Sequence, residues 1–314
     1  MGRFEAILRT AFRIGFQLVD PRGWVNSKWF VESAYNRLLR REGDPEGVAF
    51  YLKALKERKM NRWQVCAAMV NSAEFALLFE FLSGEEPLNI RLHKARCDLV
   101  RQLPPAKDIL DIGGANAESI EGSLLAMGYP HPAETITIVD LPPADRFAQL
   151  DSYKQEREGE WIQTKQGVKI RYLYRHMADI KGLLEENSID LVWMGQSIEH
   201  ITREEARQVL HSAFRFLRPN GYLCLDTPNA TVARIQVPDG FIFPEHKYEY
   251  TVQELTEEVQ QIGFRVVRSL GIAPMPYTIK MHKFDVFELY RNAFVCDDPE
   301  ISYLFYLECI KPSC

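Results

Sequence analysis

The chain has 314 residues, enough for a nucleotide-type α/β domain plus an accessory piece, so two domains are the default expectation. Hydrophobic residues at 46% and charged residues at 26% exclude a disordered or fibrous chain. The formal net charge of -5 argues against a surface devoted to neutralising phosphates, and no nucleic-acid partner is expected.

In chain order, residues 1–25 come first. Phe4, Leu8, Phe12 and Phe16 recur at helical spacing with Arg3, Arg9 and Arg13 between them, an amphipathic basic helix ending before Pro21. Its apolar stripe can pack on the rest of the protein, or residues 3–19 can rest on an anionic membrane surface or a partner. The arginines interrupt the apolar positions, so neither a signal-peptide core nor a membrane span is expected.

Residues 26–85 pattern as several short helices, with turn signals at Gly43-Asp44-Pro45 and Met60-Asn61. Asp44 can cap a helix that opens with Pro45, and Asn61 and Ser72 can cap later ones. Aromatic residues at this spacing supply a helical core. Ser83 to Pro87 reads as a linker, and residues 86–314 as the second domain.

That domain opens with a helix over Ile90 to Leu103, after which strands and helices alternate. Strands are expected at Asp108–Ile112, Thr135–Asp140, Lys169–Leu173, Ile189–Met194, Tyr222–Asp226, Phe264–Leu270 and Tyr303–Cys309. Helices are expected at Glu118–Met127, Arg203–Phe216 and Thr251–Ile262. This alternation implies a mostly parallel sheet covered on both faces. Residues 271 to 301 form a long insertion, with Tyr277 and Phe284 among its rings, of the kind that closes over an acceptor.

The turn Asp111-Ile112-Gly113-Gly114-Ala115-Asn116-Ala117 joins a buried strand to a helix at the edge where open α/β sheets bind ligands. It lacks the G-x-G-x-x-G of a dinucleotide site, and Asp111 would repel a pyrophosphate, so a cationic ligand suits it better. Asp140 ends the second strand, where an acid can accept from both ribose hydroxyls or serve the turn before Pro142. Asp179, past the third strand, can accept from an adenine amino group or cap a helix.

These segments resemble the class I S-adenosylmethionine-dependent methyltransferase family over residues 105 to about 312. The motifs are DIGGANA, Asp140 after ITIV, HMAD, SIDLVWMGQSIEHI and FRFLRPNGYLCLDTPN. Ala115 and Ala117 replace later glycines of the first motif, and Pro219-Asn220-Gly221 replaces the usual P-G-G. The resemblance implies a Rossmann-like, doubly wound, seven-stranded sheet, mostly parallel with its last strand antiparallel, behind an all-α domain. It implies S-adenosyl-L-methionine as cofactor, held by Asp111, Gly113, Gly114, Asp140, Leu141, Asp179, Ile180 and Gln196. In-line methyl transfer needs mainly positioning, and a sugar hydroxyl as acceptor adds the need for a base or a metal.

His200, after Glu199 at the end of the fourth strand, and His246, in FPEHKYEYT, are the candidate bases, with Asp226 as a partner for either. Each histidine can equally be a structural imidazole. Glu199, Asp226, Glu245 and His246 could together hold a divalent ion, but no tight ligand spacing demands it and no metal is expected. The six cysteines, Cys66, Cys97, Cys224, Cys296, Cys309 and Cys314, have no zinc spacing and read as reduced thiols of a cytoplasmic protein.

Residues 28–76 resemble a small helical domain of bacterial surface-polysaccharide enzymes and secreted proteins, similar to phycobilisome linkers. Phe30, Val31, Tyr35, Leu39, Arg40, Asp44, Gly47, Tyr51, Leu55, Ser72, Glu74 and Phe75 carry that resemblance. The stretch from Asp226-Thr227-Pro228-Asn229 to FPEHKYEYT resembles methyltransferases encoded with bacterial glycan-assembly enzymes. Together they imply a saccharide acceptor and glycan-assembly enzymes as partners. The rival expectations are methylation of a lipid-like quinone or other small metabolite, and a non-catalytic scaffold that keeps the fold.

Overall fold

The computed structural model describes residues 26–116, 119–142 and 158–313. The helix expected over residues 3–19, together with Ala117, Glu118 and Cys314, lies outside the described residues. The chain divides into two compact units, Met1–Pro87 and Leu88–Cys314.

The described part of the first unit is helical. Helix α1 (Ser27–Ala34) widens into a π turn at Tyr35–Leu39 and is followed by α2 (Pro45–Lys56), α3 (Arg62–Val70) and α4 (Ala73–Ser83). The expected caps are in place: Asp44 accepts from Gly47 N–H at 2.6 Å, Asn61 from Gln64 N–H at 2.9 Å and Ser72 from Phe75 N–H at 3.2 Å. Phe30, Val31, Ala34, Tyr35, Leu39, Val65, Cys66 and Met69 form the core. The structure explains two further motif positions. A Cβ on Gly47 would stand 2.2 Å from the Tyr35 hydroxyl, and Glu74 pairs with Arg41. Asp44→Ala should lower the stability of this unit by about 1 kcal/mol, with Asp44→Asn costing less because asparagine still caps, as read from hydrogen exchange of α2 amides.

The second unit opens with α5 (Leu88–Val100) and builds one nine-stranded sheet. Its strands are β1 (Asp108–Ile112), β2 (Thr135–Asp140), β3 (Ile162–Gln163), β4 (Lys169–Tyr174), β5 (Ile189–Gly195), β6 (Leu217–Pro228), β7 (Arg265–Pro274), β8 (Val295–Cys296) and β9 (Ser302–Ile310). The order is β3-β4-β2-β1-β5-β6-β9-β7-β8. Strands β4, β2, β1, β5 and β6 run parallel, and β9 is antiparallel to both its neighbours, β6 and β7. The sheet thus has nine strands where seven were expected. The additions, β3 and β8, are two-residue edge pairings, too short to carry an alternating pattern.

Period-2 alternation sends side chains to two cores. Ile109, Leu191 and Trp193 face a layer containing Ala95, Leu99 and Val100 of α5 and Leu124 of α6 (Gly122–Ala126). Leu110, Ile112, Val192 and Met194 face Val209, Leu210 and Ala213 of α7 (Arg203–Phe216). Helix α8 (Ala230–Gln236) follows β6, and Leu255 and Val259 of α9 (Val252–Ile262) complete the second layer. Helix α6 is shorter than the expected Glu118–Met127 element. Gly122 takes φ +80°, and a Cβ there would meet Ile138 Cδ1 at 2.5 Å, so the chain hugs β2 before it can coil.

The insertion after β7 contains α10 (Pro276–Met281) and α11 (Val286–Arg291). Its Met275, Phe287 and Tyr290 are buried, whereas Tyr277 and Phe284 are half-buried. Among the described residues no single helix is long and apolar enough to cross a membrane; α3 and α4 meet the length and composition together, across a 56° bend. Cys66, Cys97, Cys224, Cys296 and Cys309 are free thiols.

Candidate functional site

The strand order reverses between β1 and β5, which opens a crevice at their carboxyl ends. Gly113 turns the chain there at φ +80°. A Cβ on Gly113 would lie 2.8 Å from Ser197 Cβ, and one on Gly114 would lie 2.0 Å from the Asp111 carboxyl carbon. The bare turn therefore lets the loop after β1 touch the loop after β5, and it leaves room for the Asp111 carboxylate to fold over Gly114.

Asp111 is 1% exposed, and neither of its oxygens has a hydrogen-bond partner among the described residues. The buried Ser197 hydroxyl beside Gly113 is likewise unsatisfied. Buried polar groups are nearly always paired, so two orphans at one crevice mark a place for a polar ligand. Burial, reinforced by the charge of Asp140, pushes the Asp111 carboxyl from its ordinary 3.8 to about 8. A cationic ligand reverses that shift by pairing with the carboxylate. The ammonium and sulfonium of S-adenosyl-L-methionine fit this donor set.

Asp140 is pinned at the edge of the crevice: its Oδ2 accepts from Ala115 N–H at 2.9 Å and its Oδ1 from Leu141 N–H at 2.7 Å. Asp111, Gly113, Gly114, Asp140 and Leu141 thus come together as expected. Asp179 is exposed at the end of a short 3-10 turn, Met177–Asp179, which is capped by His176 accepting from Ala178 N–H at 3.3 Å, not by Asp179. Ile180 is fully buried in the core beneath.

Two expected site residues have a different use. Asp226 is fully buried, and Arg96 of α5 donates to it through Nε at 2.7 Å and Nη2 at 3.1 Å. Gln196, at φ +54°, adds its side-chain amide to Asp226 Oδ2 at 2.8 Å and its backbone N–H to the Asp226 carbonyl at 2.9 Å. Asp226 therefore serves an arginine and a glutamine, not a histidine, and it locks the end of β6 to the loop after β5. That bond uses one of the Gln196 amide's two N–H donors.

The histidines do meet. The rings of His200 and His246 stand edge to face with centroids 5.0 Å apart. Nδ1 of the buried His246 lies 2.6 Å from Glu249 Oε1, and that oxygen also accepts from Ile242 N–H at 2.9 Å. Burial and the adjacent His246 lower the His200 pKa, which favours its neutral imidazole. Glu199, 1% exposed, accepts from the Thr227 hydroxyl at 3.0 Å, and burial pushes its carboxyl up to about 7. Arg96, Thr227 and Glu249 escaped the sequence reading. Only Glu249, three residues from His246, had a local signal.

The Asp111 shift predicts a pH dependence. Between pH 3.8 and about 8 the folded, donor-free protein holds a proton on Asp111 that the unfolded chain has lost, so this group's contribution to stability declines as pH rises through that window. Pairing with the donor's ammonium expels that proton. Donor affinity should rise by up to about tenfold per pH unit between pH 6 and 7.5. Calorimetry in buffers of different ionisation enthalpy should count about one proton released, and a pH-independent affinity would refute the pairing.

Residues 22–79 match a domain of unknown function, DUF4214. Over 92 residues the chain is 36% identical to a Mycolicibacterium smegmatis protein named as a probable S-adenosylmethionine-dependent methyltransferase, and the matched stretch spans 28% of this chain but only 34% of that relative. Solved SAM-dependent methyltransferases of Thermotoga maritima and Archaeoglobus fulgidus are 14% and 16% identical, with TM-scores of 0.47 and 0.46. Each alignment covers 75% of this chain and 98% and 99% of theirs. The methyltransferase-domain family itself matches residues 88–269, from α5 into β7, so the chain belongs to that family and its cofactor is S-adenosyl-L-methionine.

Proposed function

We propose that the protein methylates a sugar hydroxyl of a bacterial surface polysaccharide or glycan precursor, with the His200–His246 pair dealing with the acceptor's proton. The observation that carries this reading is the His246–Glu249 contact at 2.6 Å beside the half-buried His200, one turn beyond the Gly113–Ser197 contact that lines the donor crevice. S-adenosyl-L-methionine supplies an electrophilic methyl group, leaving its bonding electron pair on sulfur. A thiolate or amine would need only to be positioned, whereas a hydroxyl must lose a proton as it attacks. Glu249 fixes the His246 tautomer, so that Nδ1 is occupied and Nε2 is left as the reactive nitrogen. Asp111 and Asp140 hold the donor, and the Arg96–Asp226–Gln196 bridge keeps the loop after β5 in place.

The saccharide acceptor is supported by the resemblance of FPEHKYEYT and of the leading helical domain to proteins of glycan assembly. On that reading the protein works in the cytoplasm, beside glycan-assembly enzymes, and residues 3–19 offer peripheral contact with the inner membrane. Isotope-labelled donor should be incubated with saccharides, sugar nucleotides and quinones, and the products resolved by mass spectrometry. A methylated saccharide is expected. A methylated lipid-soluble product overturns the acceptor class, and a folded protein that binds no donor overturns the enzyme.

A further inference from the structure

One ligand atom from each of Glu199, His200 and His246 lies within 4.8 Å of the other two. The chain brings these atoms together from two loops, one after β5 and one between α8 and α9, 47 positions apart for Glu199 and His246. His246 is held from behind: its Nδ1 is bound to Glu249, whose carboxylate is itself fixed by Ile242 N–H. One nitrogen of that ring is thus occupied, which is how histidines that ligate metals are oriented. The half-buried His200 ring packs edge to face against it. Glu199 is buried and steadied by Thr227. A further oxygen, Glu245 Oε2, is buried with no hydrogen-bond partner among the described residues, close enough to act on the charge of His200. A buried carboxyl grouped this closely with two imidazoles gains from a cation at their centre.

We infer that Glu199, His200 and His246 form a three-ligand site for a divalent transition-metal cation, with its remaining positions open to the acceptor's oxygen. Two imidazole nitrogens and one carboxylate oxygen suit zinc, manganese, iron or cobalt, whereas magnesium prefers oxygen ligands throughout. Three protein ligands with open positions are the pattern of a catalytic rather than a structural site. The inference rests on the proposed hydroxyl methylation and changes one part of it: the histidines act as ligands, and the cation lowers the hydroxyl's pKa in place of direct proton transfer to an imidazole. The step balances as before. The hydroxyl proton leaves to water, the oxygen forms its bond to the methyl carbon, and the carbon–sulfur bond breaks with its pair retained by sulfur.

The test uses the full chain, stripped with a chelator and dialysed. Cobalt(II) should bind at one site per chain, read by visible absorption, and manganese(II) likewise by calorimetry. Glu199→Gln and His246→Ala should each weaken binding by about a hundredfold or more, and Glu249→Gln, which leaves the ligands intact, by ten- to a hundredfold. If wild type binds both ions no more tightly than the Glu199→Gln/His246→Ala double variant, the site does not exist. Full methylation by the stripped protein in excess chelator overturns the metal's role and leaves direct proton transfer standing. Donor calorimetry on the same samples separates the two readings: retained donor binding without metal binding sinks this inference alone, and loss of donor binding by the wild type sinks the proposed function.

Discussion

Replacing His246 by alanine should lower methyl-transfer turnover by about a hundredfold or more, equivalent to roughly 2.7 kcal/mol of transition-state stabilisation, while donor affinity stays within a few-fold of wild type. The separation is expected because the proposed donor position lies at the loops after β1 and β2, whereas His246 enters from the loop before α9. His200→Ala should behave alike, since the two rings touch and share one role. In the wild type, activity should fall on acidification as His200 gains a proton, and the fall should lie to the acid side of the ordinary histidine range because burial and His246 hold the His200 pKa down. Turnover of both variants is measured with the acceptor that the labelled-methyl screen identifies. Full activity in both removes the histidines from the reaction.

Arg96→Ala should destabilise the second unit by about 3–5 kcal/mol, because it strands the fully buried Asp226 carboxylate with the Gln196 amide as its remaining side-chain donor. The effect should appear as a lower urea midpoint with an unchanged slope. Adding Asp226→Asn to Arg96→Ala should recover most of the loss, since a neutral amide does not demand a counter-ion. A single variant as stable as wild type would mean that the bridge contributes nothing.

The long strands and both core faces were legible because alternation with helices needs only local patterning. The placement of the candidate donor residues was legible too, since DIGGANA and Asp140 each sit where a strand meets its loop. Asp226 was misread for the opposite reason. Its partner Arg96 lies on a helix 130 positions earlier, and no local spacing announces that pairing. The Glu199–His200–His246 cluster was half visible: the residues were singled out, but a ligand set drawn from two loops has no sequence periodicity, and Asp226, which the structure assigns to Arg96, was counted in. Strand β6 starts earlier than the expected Tyr222 because Leu217 already pairs with Ile189; Pro219-Asn220-Gly221, with Asn220 at φ +65°, form the irregularity between that pair and the Leu191–Tyr222 pair.

The position of β9 bears on how the molecule is made. It pairs along one side from Tyr222 to Pro228 and along the other from Arg265 to Pro274, yet it is synthesised after both partners. A nascent chain that has completed β6 and β7 cannot zip them together and carries two raw borders until residues 302–310 emerge. Closing them is a long-range, entropically slow event, so the nucleotide half built on β1, β2, β4 and β5 can order on the ribosome while the other half waits. The emerging polypeptide is then most exposed to wrong partners just before synthesis of this segment ends.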